Sequence, residues 1–120
     1  MSNMHDLENT IADMVQPGKG ILAADESAPT IAKRFAAIDV ESTEEHRRSY
    51  RSLLFTAPGL ADCISGVILF EETLEQRADD GTSLPEVLGQ QGIVPGIKVD
   101  KGKGPLPNSP GDQITYGLDG

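Results

Sequence analysis

Three short apolar runs, each ending in charged residues, are the feature that most constrains what this chain can fold into. They are Ile21 to Ala24 followed by Asp25-Glu26-Ser27, Ile64 to Phe70 followed by Glu71-Glu72, and Ile93 to Val99, which carries Lys98 and is followed by Asp100. Segments of helical period lie between them, so the order reads helix, strand, helix, helix, strand, helix, strand, loop. That alternation predicts parallel strands. The second run is apolar throughout, as in strands covered on both faces. Parallel strands bring their C-terminal ends to one rim, the rim where α/β barrels keep their chemistry.

Leu7, Ile11, Met14 and Val15 fall on one face of a first helix, which Pro17-Gly18 ends. Ser27 stands where it can cap a second helix, with Pro29 in its first turn and Ile31, Phe35 and Ile38 along one side. Ser42 and Glu45 have the spacing of a capping box before a helix running to about Phe55, with Tyr50, Leu53 and Leu54 as its apolar face. Thr73 to Arg77 reads as a short helix, Asp79-Asp80-Gly81 as a turn, and Leu84 to Gln90 as a helix that Gly92 stops. Lys101 to Asp112 is dense in Gly and Pro and reads as a long loop.

The formal net charge of −9 argues against a general nucleic-acid surface. Local basic clusters remain. Arg47, Arg48 and Arg51 read as a solvated helix face paired with Glu44 and Glu45. No apolar run approaches the ~20 residues of a membrane span, and Met1 to Asp13 lacks a signal pattern. Cys63 is the only cysteine, which excludes an internal disulfide, fits a reducing cytoplasm, and reads as a packing residue because no neighbouring cation favours its thiolate.

Lys98 and Asp100 are two apart, so their side chains share a face. Asp25 can approach Lys98 from the neighbouring strand. A carboxylate and an ammonium so placed can bind a phosphate, move protons, or form a structural pair. Ser27 and Thr30 at a helix start suit an anion or serve as plain caps. Glu71 and Glu72 read as structural. Gly18-Lys19-Gly20 is not a dinucleotide fingerprint, since Ala23 holds the third glycine's place, and His5 and His46 have no partner at metal-ligand spacing.

Several words in the chain resemble the class I fructose-bisphosphate aldolases: Pro17 to Ser27, Glu44-Glu45-His46-Arg47-Arg48, Gly66 to Leu74, Gly96 to Gly102, and Gly117-Leu118-Asp119-Gly120. They stand in the family's order and at its spacings. The resemblance implies a (β/α)8 TIM barrel and reversible cleavage of fructose 1,6-bisphosphate to dihydroxyacetone phosphate and glyceraldehyde 3-phosphate. It implies a Lys Schiff base, no metal or other cofactor, a sugar-phosphate substrate in glycolysis and gluconeogenesis, and commonly a tetramer. Asp25 matches the carboxylate that assists proton transfer at the Schiff-base nitrogen. Lys98 matches a lysine that holds the sugar phosphate and sets local charge. Ser27 and Thr30 match hydroxyl positions near the C6-phosphate, although the family usually has Ser at the place of Thr30 and often Gly at the place of Pro29. Arg34 matches a phosphate position, and Arg47 a position linked to substrate binding.

A complete barrel needs about 250 residues, against 120 in this chain. The family's Schiff-base lysine, acid/base glutamate and main C1-phosphate site lie beyond Gly120, and Lys98 is not that lysine. The expectation is therefore one partial aldolase domain over residues 1–120, supplying roughly three of the eight strands and inactive alone. The rival reading is a short product without lyase activity that binds or interferes with a partner through its open strand edges.

Overall fold

The computed structural model describes residues 2–119; Met1, and Gly120 at the end of the last matched word, lie outside the described residues. The elements alternate as the apolar pattern predicts. Helix α1 spans Ser2–Met14, strand β1 Gly20–Ala24, helix α2 Ala28–Ala36 and helix α3 Glu44–Phe55. A four-residue helix α4, Leu60–Cys63, leads into strand β2, Ile64–Leu69. Helix α5, Leu84–Gln90, leads into strand β3, Val94–Ile97.

The three strands form one parallel sheet in the order β1-β2-β3. Register follows the pleat. Leu22 pairs with Val67 and Ala24 with Leu69, and this face packs against α3 and α5. The core there is Ala24, Phe55, Val67, Leu69, Ala78, Leu84, Val87, Leu88 and Ile93. Burying a Leu or Phe of this kind contributes about 1.5–3 kcal/mol each. The outer strands pair on one side only among the described residues.

Local chemistry sets the helix boundaries, and in places corrects the sequence reading. Helix α3 is capped by Thr43, whose hydroxyl accepts from the His46 N–H at 3.1 Å, not by Ser42. The Ser42 hydroxyl and carbonyl accept from Arg47 instead. The buried face of α3 is Arg51, Ser52 and Phe55, while Leu53 is 72% exposed. Tyr50 makes an edge-on contact with Phe35, the ring centroids 5.7 Å apart. Ile38 lies past the end of α2 and is exposed. The apolar face of the first helix also stays exposed, at Leu7 and Ile11 on α1 and at Val15 just past its end. Cys63 is exposed rather than packed, its thiol within reach of the Leu60 carbonyl.

The short helix expected at Thr73 to Arg77 starts earlier, as a 3-10 turn over Glu71–Glu75. The expected long loop contains a hairpin. Strand β4, Lys103–Pro105, pairs antiparallel with strand β5, Gln113–Thr115. Turn residues between them close on a Leu106 N–H to Asp112 carbonyl bond of 3.1 Å. Pro105 fits because it ends its strand, where its missing N–H breaks no ladder. The hairpin then folds back: Lys101 N–H donates to the Tyr116 carbonyl and Tyr116 N–H to the Gly102 carbonyl.

Candidate active site

The register explains how the C-terminal rim is assembled. Ala23, Ile68 and Gly96 form one row across the sheet. Two residues further along each strand come Asp25, Phe70 and Lys98, which the pleat sends to the same face. Asp25 and Lys98 are therefore on next-but-one strands, with β2 between them, and not on neighbours. They meet nonetheless: Lys98 Nζ lies 3.6 Å from Asp25 Oδ2 and 2.6 Å from Asp100 Oδ2. The strand stops at Ile97, so Lys98 and Asp100 stand just beyond it; the Lys98 N–H holds register by donating to the Leu69 carbonyl at 2.9 Å.

A cavity of about 470 Å³ opens here, lined by Ser27, Phe70, Glu71 and the run Lys98 to Gly102. Ser27 occupies the N-cap position of α2 but makes no capping bond. Its hydroxyl sits 3.2 Å from the Thr30 hydroxyl. The backbone N–H groups of that first turn are accordingly left by the Ser27 side chain for another acceptor. Lys98 and Asp25 are about equally sheltered, their side chains 27% and 25% exposed. Its hydrogen bond to Asp100, and then the nearby Asp25, raise the Lys98 pKa above its ordinary value. The same bond, with the Gly102 N–H, holds the Asp100 carboxyl below its usual range. At neutral pH the rim thus carries an ammonium at Lys98 hydrogen-bonded to the Asp100 carboxylate.

The arginines behave differently from a solvated face. Arg51 is fully buried. Its guanidinium donates to Glu72 Oε2 at 2.8 Å and to the Glu26 carbonyl at 3.0 Å, and lies 5.8 Å from the Phe70 ring centre. Arg47 is also sheltered, its side chain 17% exposed, and grips Glu72 through two carboxylate contacts of 2.7 and 3.0 Å. Arg48, its side chain 20% exposed, comes closest to the surface reading, pairing with the exposed Glu45 and Asp79. Arg47 lowers the Glu72 pKa first, against desolvation and with help from Arg51. Arg34, half exposed, pairs with the buried Glu26 carboxylate.

Of the residues singled out in the sequence, Asp25, Lys98 and Ser27 come together, with Thr30 beside Ser27. Arg34 and Arg47 do not line the cavity; Arg47 is held by Glu72, and one nitrogen of Arg34 by Glu26. Phe70 was legible in retrospect, since it holds the same register position as Asp25 and Lys98. Among the described residues, no three His, Cys, Asp or Glu side chains gather to hold a metal ion.

The chain as a whole has relatives among known proteins. The family model for fructose-bisphosphate aldolase class-I matches residues 6–120. The chain belongs to the class-I fructose-bisphosphate aldolases. A probable fructose-bisphosphate aldolase class 1 of Xanthomonas campestris pv. campestris is 53% identical over 118 residues, covering 98% of this chain and 35% of that protein. Fructose-bisphosphate aldolase of Drosophila melanogaster is 58% identical over 115 residues, 95% of this chain and 32% of that protein. A crystal structure of fructose-bisphosphate aldolase from Plasmodium falciparum, bound to TRAP and a small-molecule inhibitor, superposes with a TM-score of 0.88 at 51% identity. It covers 96% of this chain and 33% of that one. The chain thus spans about a third of the aldolases it matches. Its three parallel strands and their helices are part of a (β/α)8 barrel. No described helix is long and apolar enough to cross a membrane.

Proposed function

We propose that these residues form the N-terminal third of an aldolase barrel that cleaves fructose 1,6-bisphosphate to dihydroxyacetone phosphate and glyceraldehyde 3-phosphate. Family membership supports aldol cleavage. One observation in the structure supports the assignment of roles: the Asp25–Lys98–Asp100 cluster on the C-terminal rim, open to a cavity whose wall carries the Ser27 hydroxyl.

The chemistry requires an amine nucleophile, which we place downstream of Gly120. Attack on the ketone carbon and loss of water give an iminium, an electron sink for the pair released when the C–C bond breaks. The raised Lys98 pKa argues that Lys98 is not this nucleophile, because an ammonium has no lone pair to attack with. Lys98 instead suits a phosphate oxygen of the substrate. Asp25, held within reach of that ammonium, serves proton transfer beside the iminium nitrogen. Ser27 and Thr30 offer hydroxyls to the second phosphate at the start of α2. Arg47 joins this set only if it releases Glu72, so we assign it to its support; Arg34, 59% exposed with one nitrogen on Glu26, keeps donors for a phosphate.

The test is Asp25→Ala in the full-length protein carrying this sequence. Turnover is expected to fall about 10²–10⁴-fold, the contribution of a positioned proton-transfer group, with an unchanged far-ultraviolet circular dichroism spectrum. Borohydride reduction with dihydroxyacetone phosphate should label a lysine beyond residue 120. Full activity in the variant, or a label on Lys98, would overturn the assignment.

A further inference from the structure

The segment that carries Asp25 and Ser27 and the segment that carries Phe70 and Glu71 are joined by one buried side chain. Arg51 rises from α3, behind the sheet, and is fully buried. One arm of its guanidinium donates to the carbonyl of Glu26, the residue between Asp25 and Ser27. The other arm donates to Glu72, two residues past Phe70. The Phe70 ring sits over the guanidinium carbon at 5.8 Å, within cation–π range. Neither anchor is loose. Glu72 is gripped a second time by Arg47, and the Glu26 carboxylate is tied to Arg34 on α2.

Geometry gives this bridge a functional consequence. A carbonyl held by a fixed donor cannot swing, so the peptide joining Glu26 to Ser27 is locked. That peptide orients the Ser27 hydroxyl, and the preceding residue is Asp25. Strand β3 is already fixed to β2 through the Lys98 N–H and the Leu69 carbonyl. Among the described residues, the β1 end has no equivalent backbone bond to the β2 end beyond Ala24 and Leu69 in the sheet register. The fork of Arg51 is what spans that gap. A lysine at the same place has one nitrogen and cannot reproduce two divergent arms.

We propose that Arg51 is a positioning residue of the aldol reaction, setting the distance of Asp25 and Ser27 from Lys98 by tying the Glu26 carbonyl to Glu72. It touches no substrate and acts through the backbone. The inference rests on the proposed role of Asp25.

Arg51→Lys in the full-length enzyme tests it, with Leu88→Ala as a control of comparable burial in α5 that takes no part in the hydrogen bonds of the fork. Both variants should lose thermal stability. Misplacement of reacting groups by about 1 Å costs on the order of 10²-fold, so Arg51→Lys is expected to lower kcat at least about tenfold per folded molecule, with KM changed less. Leu88→Ala should keep kcat within about twofold. Glu72→Gln, which weakens the same fork while preserving its shape, should lower kcat in the same direction, and it carries the test if Arg51→Lys does not fold. Wild-type kcat in the variant that folds, or equal losses in Leu88→Ala, would overturn the positioning role. If Asp25→Ala is fully active, the reading of the site itself fails. If Asp25→Ala is inactive but Arg51→Lys turns over normally, only the inference about Arg51 fails.

Discussion

Replacing Lys98 with Met separates a substrate-binding ammonium from a structural ion pair. Met keeps an unbranched side chain of similar reach and removes the charge. Two costs follow, and their sizes differ. On the folding side, Lys98 loses contacts of 2.6 Å to Asp100 and 3.6 Å to Asp25, with all three side chains between 25% and 37% exposed. Partly solvated pairs of this kind contribute about 0.2–1 kcal/mol each, which a large domain registers as a few degrees in Tm at most. On the binding side, an ammonium donating to a phosphate oxygen contributes about 1.5–3 kcal/mol. At about 1.4 kcal/mol per factor of ten, kcat/KM should fall roughly tenfold to a hundredfold. The assay is steady-state cleavage of fructose 1,6-bisphosphate by the full-length protein, coupled to reduction of the dihydroxyacetone phosphate released, with Tm measured on the same preparation. Lys98→Arg should recover part of the loss, because it restores a cation. Lys98→Met with kcat/KM within about twofold of wild type would refute the phosphate role and leave Lys98 as a structural pair.

Two further outcomes follow from the same geometry. Glu72 has a folded-state pKa below its ordinary value, held there first by Arg47; the unfolded chain takes up a proton near about pH 4.3. Its contribution to stability is therefore present above that pH and lost as pH falls through the lower folded value. Glu72→Gln should flatten the fall in Tm below about pH 4.5, and an unaltered acid limb would show the pairing to be weak. Gly117 has φ +88°, and a Cβ there would lie 2.8 Å from the Val99 carbonyl and 2.9 Å from the Lys101 N–H. Gly117→Ala should therefore lower stability by about 1–3 kcal/mol and raise KM by shifting the Lys98 to Gly102 wall. Gly111→Ala, at φ +92° with no heavy atom within 4 Å of the added carbon, carries backbone strain alone and should cost less. Equal losses in the two glycine variants would argue against the steric account.

The strands and most helices were legible because burial alone dictates them. The run from Ile64 to Phe70 has no polar residue apart from Ser65, and that hydroxyl is satisfied by the Met14 carbonyl at 2.6 Å. Asp25 and Lys98 were legible because charge at the end of an apolar run has few places to go. The buried face of α3 was legible only in part. Periodicity points to Tyr50, Leu53 and Leu54; Leu54 packs against the core and Leu53 is exposed, whereas the structure also turns Arg51 and Ser52 inward. An arginine can be buried there only because Glu72, the Glu26 carbonyl and the Phe70 ring meet it, and those partners are 21, 25 and 19 positions away in the chain. No local pattern carries that information. The β4–β5 hairpin was hidden for a different reason. Its ladder is only three residues a side, and its Gly and Pro residues give the same signal whether the segment wanders or turns sharply.

The basic residues near the rim of this acidic chain thus play two parts, and the division follows from side-chain chemistry. Arg34, Arg47 and Arg51 have forked guanidiniums, each paired with a carboxylate on a segment that forms the rim. Arg51 also holds the backbone there, through the Glu26 carbonyl. Lys98 has a single ammonium, set between two carboxylates at the mouth of the cavity and still about a quarter exposed. It can keep one partner and meet a phosphate with another N–H, which a guanidinium clamped on both arms cannot do. The carboxylates follow the same rule. Glu26 and Glu72 are engaged by arginine, whereas Asp25 faces only the 3.6 Å contact with Lys98. Asp25 and Asp100 share Lys98, and the longer contact, to Asp25, is the one an arriving phosphate can more readily draw away. Substrate binding would therefore loosen the hold on Asp25 at the moment its carboxylate is needed.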